Sequence, residues 1–180
     1  KDYQIFLEND KKIKINRKRY LSTLPLFTIS DELLISILKK NNLTNNEINN
    51  IINYKKTELD KYLSIIKDNT LTDYITTIKE DNFINEKIYL TLENFNIDKK
   101  IKYDYQDYEK HLLETKEFAK KHKNYHIVGL DDKTFNNITI TILEDNYVII
   151  SKNFNPLIHF VIKHPKLRNA IEKFTPLVKE

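Results

Sequence analysis

The chain has 180 residues, 40% of them hydrophobic, and its 30 basic against 26 acidic side chains leave a formal charge of +4. That length allows one domain or two small ones with enough apolar content for a core, and the mixed charge is too weak to imply nucleic acid. No apolar run approaches the roughly 20 residues of a membrane helix, and the lack of cysteine excludes disulfides, thiolate chemistry and cysteine-ligated metals.

The sequence begins at Lys1 and contains no methionine, which predicts a piece of a longer product. The missing cysteines accord with a cytoplasmic setting. Abundant Asn, Lys and Ile beside a single Gly resemble the codon pressure of an AT-rich genome, so many asparagines are expected to carry no local meaning.

Tyr3 to Leu7 and Lys12 to Ile15 read as short extended segments around a polar turn. The basic run Lys11, Lys12, Lys14, Arg17, Lys18 and Arg19 has no interleaved aromatic platform, so it reads as a solvated hairpin or linker rather than a phosphate contact. Ser30, followed by Asp31 and Glu32, is an N-cap signal. Leu33, Leu34, Ile37 and Leu38 then form one apolar stripe. Thr44 and Glu47 have capping-box spacing and open a longer helix with Ile48, Ile51, Ile52, Leu59, Leu63 and Ile66 facing the core to about Asp68. The short connection predicts a helical hairpin near 30–68. Asn45, Asn46, Asn49 and Asn50 would suit a DNA-reading helix, but the helix is long and its turn lacks glycine, which favours plain packing.

Thr72 to Lys79 and Asn85 to Leu92 are expected as short helices, and Glu93 to Lys102 as a polar connection. Asp104 caps the next helix, Tyr105 to Lys121, with Tyr108, Leu112, Leu113 and Phe118 predicted inward. Tyr125 to Leu130 reads as a strand, and strict alternation in Ile138 to Ile142 marks a strand buried on one face. Val148 to Ile150 is apolar without alternation, as in a central strand. Ile158 to Ile162 would be a fourth strand, ended by His164-Pro165. In the last helix Leu167, Ala170, Ile171 and Phe174 are expected on the sheet. The predicted class is α+β: a mostly helical region over 1–100, then an α+β module over 101–180 with a small, mainly antiparallel sheet of about four strands flanked by helices.

The chemistry-bearing candidates are sparse. A magnesium nuclease would need Asp131 or Asp132 before the hairpin and an acid two residues ahead of Lys152, where Ile150 stands instead. His159 and His164 lack the one-face spacing of zinc ligands and have no carboxylate between them. No G-x-S-x-G elbow occurs, and Gly129 alone cannot form a glycine-rich phosphate loop. The chain therefore reads as non-enzymatic, with no catalytic or metal-binding residue and no cofactor. Its candidate ligand site is Ser151, Lys152, Asn153, Asn155 and His159, a cation with hydrogen-bonding groups at the sheet's end.

The run from Tyr105 (YQDYEKHLLETKEFAKKHKNY), FNNITI and VIISKNFNPLIHFVIKHPKLRNAIEKF resembles the C-terminal half of a group of helix-turn-helix transcriptional regulators from Gram-positive Firmicutes. Pro25 to Leu59 is similar to the helical region ahead of that half. The resemblance implies a regulatory, dimerising or effector-sensing part: a homodimer answering a small-molecule or peptide effector, and touching DNA only through an upstream head absent from this sequence. The alternatives are a protein-interaction module unrelated to transcription and the metal-dependent nuclease.

Overall fold

The computed structural model describes residues 15–92, 95, 97–131, 137–154 and 156–174. Tyr3 to Leu7 and most of the expected N-terminal hairpin lie outside them. The first element is strand β1 (Arg17–Leu21), followed by a 3-10 turn over Leu26–Thr28. Helices α1 (Asp31–Lys40) and α2 (Asn45–Asp68) lead to β2 (Leu71–Thr76). Helix α3 (Glu80–Asn85), the two-residue strands β3 (Tyr89–Leu90) and β4 (Ile101–Lys102), and α4 (Tyr105–Lys121) lead to β5 (Tyr125–Leu130). Strands β6 (Ile138–Leu143), β7 (Tyr147–Lys152) and β8 (His159–Ile162) precede α5 (Pro165–Phe174).

The α+β class holds, but the main sheet is larger than expected. It has six strands in the order β5-β2-β1-β6-β7-β8, with β3 and β4 forming a separate pair. β1, β2 and β5 run parallel, and β6, β7 and β8 continue the sheet antiparallel from β1. Residues 1–100 supply β1 and β2 and residues 101–180 supply β5 to β8, so the two expected regions share one sheet.

Three local expectations are corrected. Thr72 to Lys79 is not helical: in Leu71-Thr72-Asp73-Tyr74-Ile75 the side chains alternate between buried and half-buried, the period-2 pattern of a pleated strand. Helix α3 lies earlier than expected, ending at Asn85, and Tyr89–Leu90 is extended. The basic run is not a solvated hairpin at its C-terminal end: Arg17 and Arg19 are buried on one side of β1, while Lys18 is exposed.

Arg19 is held by chemistry that the sequence hides. It lies beside Asp73 across the β1–β2 pair, and its Nε and Nη2 each donate to that carboxylate at 2.7 Å. Nη1 donates to the Tyr62 hydroxyl, and the Tyr125 hydroxyl donates to Asp73, both at 2.7 Å. A bidentate fork with a further hydrogen bond on each partner is the geometry in which two buried charges are tolerated.

The helical hairpin forms as expected. Ser30 Oγ accepts from Leu33 N, and the Thr44–Glu47 capping box is complete. The turn dispenses with glycine because Asn42 takes the left-handed conformation at φ 56°. Asn42 N donates to Lys39 O and Leu43 N to Leu38 O, which satisfies the last carbonyls of α1. Leu34, Ile37, Leu38, Ile48 and Ile51 join Leu21, Ile75 and Tyr108 in the core under the helices. On α4 the buried positions are Asp107, Tyr108, His111 and Thr115; Leu113, expected inward, is 60% exposed.

The opposite face of the sheet carries Tyr20, Ile140, Ile142 and Val148, with Ile171 of α5 packed against them. Leu167 and Ala170 of α5 are exposed, so Ile171 alone of those three reaches the sheet. No helix among the described residues is long and apolar enough to cross a membrane.

Candidate functional site

Parallel strands joined by long crossovers end on one side of a sheet, and their carboxyl ends leave a crevice where the chain reverses its direction of travel through the sheet. Here the chain moves from β1 outward to β2 and β5, then returns to place β6 on the other side of β1. The carboxyl ends of β1 and β2 therefore meet the start of β6 and the end of β7 along one edge. Leu21 pairs with Ile75, and Ile138 pairs with Lys152.

Along that edge lies a cleft of about 330 Å³. Ser22 and Thr23 follow β1, Thr76 and Thr77 close β2, Asn137 precedes β6, and Lys152 ends β7. Asn137 enters β6 at φ 61°, a conformation that asparagine tolerates better than most residues. The facing wall comes from the end of α3 and the β3–β4 pair, including Glu86, Lys87, Tyr89, Thr91 and Lys100. Lys87 and Lys100 on that wall and Lys152 at the end of β7 outnumber Glu86 around a hydroxyl-bearing floor, an electrostatic bias toward anions.

Internal bonds fix much of this lining. Thr23 Oγ1 donates to Thr91 Oγ1 at 2.8 Å, tying the β1 loop to the opposite wall. Lys152 Nζ donates to the carbonyls of Phe154 at 3.0 Å and Pro156 at 3.3 Å, which holds the ammonium at the mouth. Lys100 Nζ stands 5.2 Å from the ring centres of both Tyr89 and Phe154, whose planes meet edge to face. A cation over aromatic faces is attracted by the ring quadrupole.

The five residues singled out from sequence do not form one cluster. Lys152 lines the cleft. Asn153 is buried beneath it, accepting from Thr139 Oγ1 at 2.7 Å and donating to Ser22 Oγ at 3.2 Å, so its amide braces the β1 loop. Ser151 Oγ and His159 Nδ1 are 2.8 Å apart across the β7–β8 pair. The pleat puts that pair on the face opposite Lys152, because successive side chains on a strand alternate. Burial lowers the His159 pKa. Asn155 lies outside the described residues.

The nuclease geometry does not assemble among the described residues. Asp131 is exposed beyond β5, Asp132 lies outside them, and Ile150 packs against the core opposite the helices. No group of three His, Asp or Glu there could hold a metal ion.

Sequence reasoning missed Ser22, Thr23, Thr76, Thr77, Tyr89 and Lys100. The hydropathy of 71–76 does not alternate, because Asp73 stands on the buried face between Leu71 and Ile75, so the strand pairing that gathers these residues left no local signal.

A second polar cluster lies away from the cleft, at fully buried His111. Its Nε2 is 3.0 Å from the Pro25 carbonyl, which can only accept, so Nε2 carries the hydrogen. Nδ1 then accepts from the Tyr103 hydroxyl. Burial pushes the His111 pKa down to about 3 and the Tyr103 pKa well up, so both groups are neutral. This cluster fastens α4 to the 3-10 turn and has no opening to solvent at His111.

No protein-family model matches the chain, and no curated protein or solved structure matches it.

Proposed function

We propose that this chain is a non-catalytic, effector-sensing domain that holds a small anionic ligand in the cleft at the carboxyl edge of its sheet. The observation that carries the reading is the cleft itself: a concavity at the switch in strand order, with Lys87, Lys100 and Lys152 set against Glu86. Its volume falls at the lower end of the roughly 300–1,000 Å³ common for small-molecule sites. The resemblance to the C-terminal region of helix-turn-helix regulators supports assigning the sensed signal to transcription. In that reading the protein acts as a homodimer, since two-fold operators favour dimers, and a separate segment contacts DNA.

The test is a thermal-shift titration with phosphate, citrate and short carboxylates, against glycerol as a neutral control. A saturable rise in Tm with the anions is expected, corresponding to about 2.7 kcal/mol at a hundred times Kd. Lys152→Ala should abolish the rise while the protein still unfolds in a single cooperative transition, with a lower unliganded Tm because two hydrogen bonds to the loop carbonyls are lost. Absence of any saturable shift sinks the reading, and turnover of the bound anion would overturn its non-catalytic part.

A further inference from the structure

Lys100 and Phe154 line two concavities at once. On one side is the polar cleft; on the other is a smaller, largely apolar pocket of about 110 Å³ lined by Leu90, Leu92, Ile101 and Leu157, with Asp98, Lys99 and Asn153 as its further polar members. Leu90, Leu92 and Ile101 are nearly fully buried, so the pocket's back is fixed core, while Leu157 is half-buried at its rim. The partition is a lysine resting on two rings and a phenylalanine that follows β7.

We infer that the ligand is a small anion with a short aliphatic tail, its head among the lysines and hydroxyls of the cleft and its tail in the apolar pocket behind Phe154. This rests on the reading of the cleft as the effector site. A pocket of that size is somewhat smaller than the cavity of about 150 Å³ that takes benzene. The tail therefore has about four carbons. Such a tail gains by burial, and a larger ring or longer chain has no room in a close-packed wall. Carboxylate and phosphate heads share the chemistry that recognises them here, namely charge and acceptor oxygens.

The experiment measures Kd for the intact chain across acetate, propionate, butyrate, valerate and heptanoate, with methyl and butyl phosphate as a second series. Affinity should rise about fourfold per added methylene, the value of burying one CH₂, up to valerate and then stop. The phosphate series tells the two heads apart, because one series binds more tightly at equal tail length. Leu157→Trp, which fills the rim, should flatten the dependence on chain length while acetate and methyl phosphate bind as before. Anions that bind equally well whatever their tail would overturn this inference and leave the effector site standing. If no anion binds at all, both readings fall together.

Discussion

The face of β1, β2 and β5 beneath the helices buries Arg19, Asp73 and Tyr125 in one hydrogen-bonded cluster with Tyr62. The antiparallel half, β6 to β8, buries Ile140, Ile142, Leu143, Tyr147, Val148 and Ile149, and no charged side chain. The connections explain the contrast. β6 and β7 are joined by the short turn Glu144-Asp145-Asn146, with Asp145 at φ 56°, so the turn sets their register. β1 and β2 are separated by two helices, and no turn can set theirs. An ion pair between directly opposed residues can, because a slip by one residue would leave both charges buried and unpaired.

The largest expected effect breaks that pair. Asp73→Ala leaves the Arg19 guanidinium almost wholly buried without its carboxylate and should cost about 3–5 kcal/mol by urea unfolding. The double variant Arg19→Met, Asp73→Leu should recover most of this, since replacing a buried pair with apolar side chains is often neutral. If the pair sets register, the double variant will fold yet show doubled or broadened amide resonances in β1 and β2. A single sharp set would assign the pair to stability alone.

The second effect concerns His111, under the same helices. Its folded pKa is about 3 against an ordinary 6.5, so between those values the unfolded chain holds a proton that the fold refuses. Above pH 6.5 both states are neutral and there is no pH cost. As pH falls through 6.5 toward 3 stability declines, by about 2 kcal/mol between pH 7 and 5. His111→Gln should unfold at lower urea at pH 7, yet lose about 2 kcal/mol less than the parent over that interval. Parallel pH profiles for the two proteins would refute the buried neutral imidazole.

How far the sequence speaks follows from the same contrast. The helical hairpin and β5 to β8 were legible because capping residues, alternation and a tight turn are local signals, written within a few residues of the element they govern. β1 and β2 were not, because their pairing is written in Arg19 and Asp73, 54 positions apart. An arginine two residues from another reads as surface until its partner is known. The asparagines misled in a related way. Asn42 ends α1, and Asn41 grips β4 by donating to Lys102 O and accepting from Lys102 N. Asn153 braces the cleft floor. A composition rich in asparagine hides the few positions where it matters. The candidate site was legible only at Lys152 and Asn153, since the rest of the cleft depends on which strand ends the topology gathers.

The smallest effect tests the antiparallel half at its margin. β8 is an edge strand, paired on one side with β7, and Phe160 is 62% exposed there. A side chain so open has most of its surface in water already, so Phe160→Glu should change the urea midpoint by no more than about 0.5 kcal/mol. Ile142→Ala, two strands further in on β6, removes a fully packed side chain and should cost about 2–5 kcal/mol. A charge on an exposed edge also opposes strand-to-strand association, so the same variant should scatter less light at high concentration. If Phe160→Glu instead costs more than about 2 kcal/mol, the size expected of core truncation, Phe160 is covered in solution and the apolar half of the sheet extends beyond β8. The contrast between halves would then be one of completeness as well as chemistry.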